Sequence, residues 1–107
     1  MPTTLPSPVV ATALVGSVSS VLVVPANLTR QGLYVFNPSA VVIWVCPATT
    51  NAGIAVAAAV GGSGSIPVQP QQGLLLGPRT MPQFTNALNA IAVSGSNNPL
   101  SIWEFYQ

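Results

Sequence analysis

Short apolar runs recur along the chain, and Pro, Gly or small polar residues interrupt them about every 8–12 residues. Val, Ile and aromatic residues are concentrated in the runs, which is typical of an all-β sandwich or barrel. We therefore expect an antiparallel β-sandwich of about 8–9 short strands, with the jelly roll as one candidate arrangement. The predicted strands are Val9–Leu14, Val18–Val24, Gln31–Phe36, Ala40–Cys46, Ile54–Val60, Gly64–Val68, Leu74–Leu76, Asn89–Ser94 and Leu100–Tyr106.

Two segments also suit a helix. Ile54–Val60 is rich in Ala, a strong helix former. Its larger residues nevertheless fall on one side of a period of two, so we favour a strand and keep a helix as the alternative. Thr85–Leu88 has the length of a single helical turn.

The N-terminal segment Met1–Pro8 is rich in Pro and Thr and is a poor helix candidate. We expect it to form an extended arm, residues 1–8, ahead of a single sandwich domain, residues 9–107. A Pro-rich arm loses little conformational entropy when it becomes ordered. Pro2, Leu5 and Pro6 are therefore candidate contacts with another subunit.

Three of the predicted connections contain turn residues. Asn37–Ser39 places Asn and Pro at the first two positions of a type I turn, which predicts a hairpin between the third and fourth strands. Pro70–Gly73 joins two apolar runs, and its Gly can supply a positive φ. Ser94–Pro99 forms a longer polar loop before the last strand.

Some predicted strands are apolar on both faces. In Val41–Cys46 apolar residues occupy odd and even positions alike, and Gln31–Phe36 shows the same feature. An antiparallel sheet with one solvated face should alternate apolar with polar residues. Either both faces are covered within the domain, or the second face meets a neighbouring subunit, which we favour. Tyr34, Phe36, Trp44 and Trp103 are the candidate interface residues within the predicted strands.

Only Arg30, Arg79 and Glu104 carry charged side chains in the 107-residue chain, which has no Lys, Asp or His. A typical soluble domain has about one charged residue in four. Surface charge ordinarily keeps chains of this size soluble and monomeric, so we expect much of the surface to contact other protein. Two arginines cannot displace the counterions of a nucleic acid, so we expect no nucleic-acid partner.

The composition also argues against catalysis and metal binding. Metal sites need clusters of Cys, His, Asp or Glu, and this chain has one Cys, one Glu and no His or Asp. Acid–base catalysis takes paired titratable groups and a Ser triad needs His. We therefore expect no enzyme, no metal site and no cofactor. Cys46 lacks a disulfide partner and an activating His, which indicates a small buried hydrophobe in a chain folded in a reducing compartment.

Half of the residues are apolar, which raises the question of a membrane segment. A spanning helix needs roughly 18 consecutive apolar residues. The nearest candidate, Val9–Val24, is interrupted by Thr, Gly and Ser. We therefore expect no membrane partner.

The charged residues allow one specific contact. Arg30 comes just before a predicted strand and Glu104 lies within the last one. An Arg–Glu ion pair between them would fix a sheet register or a subunit contact, and the alternative is that each charge is solvated. Arg79 lies in a predicted loop, where it contacts a partner or is solvated.

Five segments follow one another as a strand with a turn, a second strand, a turn region and two closing strands: Arg30–Ser39, Val42–Val45, Ile66–Gly73, Ala90–Gly95 and Leu100–Phe105. Their order resembles the small β-sandwich structural proteins of tailed-bacteriophage virions, including decoration and cement proteins. The scarcity of charge departs from that pattern, because such proteins usually carry acids and lysines on their loops.

The resemblance implies a non-catalytic capsid decoration or cement protein that stabilises the head through many subunit contacts. It further implies major capsid protein or other virion proteins as partners, homo-oligomers, and a location in virions assembled in the host cytoplasm. The alternatives are a receptor- or glycan-binding module of a tail, fibre or spike, or a neck component. The aromatic residues could serve a glycan site, although their positions inside strands favour packing.

Overall fold

The computed structural model describes residues 8–27, 30–48, 50–51, 54–55, 57–62, 64–76 and 87–106. Pro2, Leu5, Pro6 and Arg79 lie outside these residues, as does the predicted arm up to residue 7. Pro8, assigned to the arm from the sequence, is the first residue of a strand. The strands are β1 (Pro8–Val15), β2 (Val21–Val24), β3 (Arg30–Asn37), β4 (Ile43–Ala48), β5 (Thr50–Asn51), β6 (Ile54–Ala55), β7 (Ile66–Val68), β8 (Gln72–Leu76), β9 (Ala87–Ala92) and β10 (Asn98–Tyr106).

Eight of these strands form two four-stranded antiparallel sheets packed as a sandwich, which confirms the predicted fold class. The order is β1-β10-β3-β8 in one sheet, named here the front sheet, and β2-β9-β4-β7 in the other, the back sheet. The short strands β5 and β6 pair only with each other among the described residues.

The strand order is that of a jelly roll. The first strand pairs with the last, β2 pairs with β9, β3 with β8 and β4 with β7, so the pairs are nested like a folded hairpin. Each connection crosses between the sheets, except the one from β4 to β7, which lie side by side. A jelly roll consists of two interlocked Greek keys, and these nested pairs have that arrangement.

The core lies between the two sheets because alternate residues of each strand point inward. In β9 the alternation is strict: Leu88, Ala90 and Ala92 are buried and the intervening residues are half-buried. Burying a Leu or Val side chain contributes about 1.5–3 kcal/mol. The buried cluster consists of Val15, Val24, Leu33, Val35, Ile43, Val45, Val68, Leu76, Leu88, Ala90, Ala92, Leu100 and Ile102.

The hairpin predicted at Asn37–Ser39 is wrong, because β3 belongs to the front sheet and β4 to the back sheet. The fully buried Asn37 side chain holds this crossing. Its Nδ2 donates to the carbonyl oxygens of Val41 and Val68 at 2.7 and 2.8 Å. Its Oδ1 accepts from the backbone N–H and the Oγ of Ser39 at 3.0 and 2.6 Å. A turn signature therefore marks a corner between sheets.

Among the eight strands of the two sheets, the largest shifts from the predicted boundaries are in β2 and β4. β2 begins at Val21 rather than Val18, because Ser17 is bound into the preceding corner, where its N–H and Oγ donate to the Gly95 carbonyl at 3.2 and 3.0 Å. β4 begins at Ile43 and runs through Pro47, which was expected to end it. At Pro47 the strand pairs with β9 and no longer with β7, and a strand with a free side tolerates the missing N–H of Pro.

The two segments for which the sequence also allowed a helix differ from the prediction. Of Ile54–Val60, only Ile54–Ala55 is a strand, so the predicted strand is wrong for the remaining described residues. Instead, the backbone N–H of Ala58 donates to the Oγ of Ser20 at 3.0 Å. The last two residues of Thr85–Leu88 begin β9, so a helical turn is wrong for them, and the first two lie outside the described residues.

Candidate interaction surface

The outward side of the front sheet, named here the front face, carries a row of apolar and aromatic side chains. The strand register aligns Val10 with Trp103, Trp103 with Tyr34, and Tyr34 with Leu75. The row therefore crosses all four strands from one edge to the other. Alternation adds the neighbouring outward positions, so that the face comprises Val10, Thr12, Leu14, Tyr34, Phe36, Gly73, Leu75, Pro99, Ser101, Trp103 and Phe105.

The large side chains of the front face are in contact with solvent. Val10, Leu75 and Trp103 are 59%, 48% and 42% exposed. Leu14 is also exposed, and the other aromatic residues of the face are half-buried. None of the residues of the face carries a charge. Isolated exposed apolar residues are ordinary, but a continuous apolar patch marks a site of interaction.

The size of the front face follows from strand geometry. Four strands spaced about 4.8 Å apart make a sheet roughly 19 Å wide, and a strand the length of β10 is about 30 Å long. The flat area is therefore on the order of 500 Å². A standard protein interface buries about 800 Å² per partner, so the front face offers somewhat less than one standard contact.

The outward side of the back sheet is partly covered within the domain. Cys46 points to this side, yet only 2% of it is exposed, as predicted for a small buried hydrophobe. A Cβ atom placed on Gly64 would lie 3.9 Å from the Cys46 Sγ, and Ala58 bonds to Ser20 beside β2. The segment before β7 thus crosses this side, so coverage within the domain accounts for the second apolar side of β4 at Cys46.

Trp44 lies on the covered back sheet and not on the front face. Its side chain is half-buried, and its Nε1 is buried with no hydrogen-bond partner among the described residues. Of the other candidate interface residues, the structure brings Tyr34, Phe36 and Trp103 together on the front face.

Four residues of the front face were not among the candidate interface residues: Val10, Leu14, Leu75 and Phe105. For Val10 and Leu14 the sequence contains a signal that could have identified them, because apolar residues occupy both odd and even positions of β1. The register that aligns Val10 and Leu75 with the aromatic residues depends on pairing between distant segments, which the local pattern does not contain.

Tyr34 lies across Gly73 on the front face. A Cβ atom on Gly73 would collide with the Tyr34 hydroxyl and ring. Gly73 has no positive φ, and the non-glycine residue with positive φ in this corner is Gln71, at 63°. Gly73 therefore leaves space for the Tyr34 ring, and the positive φ that its sequence position would allow is not used.

Replacing Gly73 with Ala is expected to turn the Tyr34 ring away from β8. Because the ring is only half-buried and can rotate, we expect a small loss of stability, about 1 kcal/mol. The ring resonances of Tyr34 in NMR spectra would report the displacement, with Gly16→Ala, which meets no atom within 4 Å, as the control. Unchanged Tyr34 resonances in Gly73→Ala would contradict this packing.

Arg30 and Glu104 form the ion pair that the sequence suggested. The Arg30 Nε donates to the Glu104 Oε2 at 2.8 Å, and the two side chains are 0% and 16% exposed. Arg30 Nη2 also donates to the Pro25 carbonyl at 2.7 Å. Asn27 Nδ2 lies 3.4 Å from the same Glu104 oxygen. Two of the three charged side chains are thus withdrawn from the surface and join the β2–β3 connection to β10.

The described residues contain no group of three or more His, Cys, Asp or Glu side chains that could hold a metal ion. Among them there is also no helix long and apolar enough to cross a membrane. Comparisons of the chain with protein-family models, with curated proteins and with solved structures found no match.

Proposed function

We propose that this chain is a virion structural protein, a capsid decoration or cement protein of a tailed phage, that attaches to the head through its front face. The observation that carries the proposal is the uncharged, exposed aromatic row Val10–Trp103–Tyr34–Leu75 on a domain with almost no surface charge. The jelly roll is used by viral capsid proteins, but also by lectins and cupins, so the fold supports the proposal only by analogy.

Attachment of this kind works by apolar contact. Trp and Tyr are enriched among the residues that dominate interface energies, and Trp103 and Tyr34 are neighbours at the centre of the front face. Because the face has no charge to be screened, binding should depend little on salt concentration. A single contact of this size is modest, and many copies on one shell would add their effects through multivalency.

The second candidate is a receptor- or glycan-binding module of a tail, fibre or spike, or a neck component. The exposed Trp103 is the feature that favours a glycan site, because sugar rings pack on aromatic faces. Against it, Glu104 points to the opposite side of the sheet and is occupied by Arg30. Copy number separates the candidates, since decoration requires many copies per particle and a tail or neck few.

The decisive experiment compares particles assembled with wild-type and substituted chains. Trp103→Lys places a charge at the centre of the front face and is expected to lower particle occupancy roughly 30-fold, the effect of losing a central contact. Leu75→Lys places the same charge at the edge of the face and is expected to lower occupancy by a smaller factor. Val18→Lys is the matched control, because Val18 is almost fully exposed and lies in the corner between β1 and β2. Quantitative mass spectrometry of purified particles measures the occupancy.

Thermal unfolding of each variant verifies that the fold is retained. Equal occupancy for Trp103→Lys, Leu75→Lys and wild type would refute attachment through the front face. Absence of the chain from purified particles would refute a virion protein, and a few copies per particle would favour the tail or neck.

A further inference from the structure

Among the residues that the structure describes, one of the four sheet edges lacks the protection that natural proteins give to exposed strands. Edge strands are usually short, bulged or interrupted by Pro or charge, because their free N–H and C=O groups can pair with another chain. β2 is short with a register shift, β7 has three residues including Pro67, and β8 has five. β1 has eight residues in unbroken register with β10, no charge, and Pro only at its first position.

The sequence of β1 is nearly symmetric about Thr12. Ala11 and Ala13 flank it, followed by Val10 and Leu14, and then by Val9 and Val15. If two such strands pair antiparallel with Thr12 opposite Thr12, every apolar residue meets an apolar residue of the same face. Opposed Thr residues form a favourable cross-strand pair.

We propose that two copies of this chain associate by antiparallel pairing of β1 with β1, centred on Thr12, so that their front sheets join into one continuous sheet. The two-fold arrangement is isologous, as in most protein dimers, and requires a self-complementary surface. The near-symmetric β1 provides that surface. No charge on either strand opposes the approach.

The strength of this contact can be bounded. Antiparallel pairing of about seven residues forms roughly 6–8 backbone hydrogen bonds, within the range of about 5–15 found in a typical interface. The apolar area is smaller, because one strand edge covers only about 300 Å² per copy, against the usual 800 Å². We therefore expect a dimer with a dissociation constant on the order of 1–100 µM.

The inference is independent of the proposed function, since it concerns the edge of the front sheet rather than its face. The first test uses charge at the dyad. Thr12 is exposed, so Thr12→Lys is tolerated by the isolated domain, but in the dimer it opposes two like charges. We expect its dissociation constant to rise roughly 100-fold. Mixing Thr12→Lys with Thr12→Glu places Lys opposite Glu and is expected to restore association to within about tenfold of wild type.

Leu75→Lys is the matched control, because it adds the same charge to the same face at the opposite edge. It should leave the dimer intact while impairing particle attachment, so failure of one proposal is distinguishable from failure of the other. Sedimentation equilibrium measures the association, and thermal melting confirms folding. A wild-type chain that stays monomeric up to about 1 mM overturns the dimer, and equal association of Thr12→Lys and Leu75→Lys overturns β1 as its site.

A second measurement establishes the register. Paired residues of antiparallel strands have Cα atoms about 4.5–5.5 Å apart, within the range a disulfide spans. Thr12→Cys should therefore form a disulfide-linked dimer on mild oxidation, whereas Leu75→Cys should not. Wild type serves as the background, because its Cys46 is buried. If Thr12→Cys remains unlinked while the wild-type chain is dimeric, pairing centred on Thr12 is wrong.

Discussion

Replacing Glu104 with Ala is expected to lower the free energy of unfolding by about 3–5 kcal/mol, because it leaves the fully buried guanidinium of Arg30 without its counter-charge. Domains of this size have total stabilities of about 5–15 kcal/mol, so the loss would be a large fraction of the whole. Arg30→Ala leaves a carboxylate that retains some contact with water and should cost somewhat less. Urea denaturation followed by tryptophan fluorescence measures both effects.

Two further variants separate the charge from the shape of the side chains. Glu104→Gln keeps an acceptor oxygen but removes the charge, so we expect an intermediate loss. The double variant Arg30→Met with Glu104→Leu removes both charges and keeps most of the volume, and it should be more stable than either alanine variant. Small, additive effects for Arg30→Ala and Glu104→Ala would mean that the pair does not hold β10 to the β2–β3 connection.

The sandwich class was predictable because the signal for it is local. Alternation and turn residues indicated strands close to β1, β3, β9 and β10, each shifted by one or two residues at its ends. The assignment of strands to sheets was not predictable. Asn37–Ser39 looks like a hairpin turn from its own residues, and what makes it a corner is the bond from Asn37 to the Val68 carbonyl, 31 residues away.

The Ala-rich segment shows a second limit of local patterns. Its period of two predicted a strand, but Ala58 and Ala59 give their N–H groups to the side chains of Ser20 and Ser65. Of residues 57–60, only Ala58 is buried, and Ala57, Ala59 and Val60 are exposed. Beyond Ile54–Ala55 the described residues of the segment form no strand, so their alternation does not correspond to the two faces of a sheet.

The sequence was sufficient to predict an apolar outward surface, but it identified only some of the residues that form it. Two-faced apolar strands indicated that one outward side meets other protein, and Tyr34, Phe36 and Trp103 lie together on the exposed front face. The same argument selected Trp44, whose side of the back sheet is crossed by the chain itself. A strand pattern identifies two apolar sides, but it does not distinguish a side covered by a distant segment from one left open.

The front face and the β1 edge also reinforce each other. A single front face provides on the order of 500 Å², which is less than a standard contact of about 800 Å² per partner. Joining two front sheets at β1 would double the width of the apolar surface without a seam of charge, because β1 contributes Val10 and Leu14 to it. The proposed dimer would thus present a docking surface of standard size.

Replacing Asn37 with Asp is expected to destabilise the fold by about 3 kcal/mol or more. The change keeps the shape of the side chain but removes both N–H donors, leaving the carbonyls of Val41 and Val68 facing a buried acidic group. Each buried acceptor that loses its partner costs about 1–3 kcal/mol, and a buried unpaired charge adds to that. Thermal and urea unfolding measure the loss.

Ser39→Ala is the matched control at the same corner. It removes a hydroxyl that donates to the Asn37 Oδ1 at 2.6 Å, but it keeps the backbone N–H that donates to the same oxygen and both bonds from Asn37 Nδ2. We expect a loss of about 1 kcal/mol. The ratio of the two losses in unfolding free energy tests whether the bonds from Asn37 Nδ2 hold the corner. If Asn37→Asp costs no more than Ser39→Ala, these bonds do not hold β3 and β4 in separate sheets. The crossing must then depend on core packing alone.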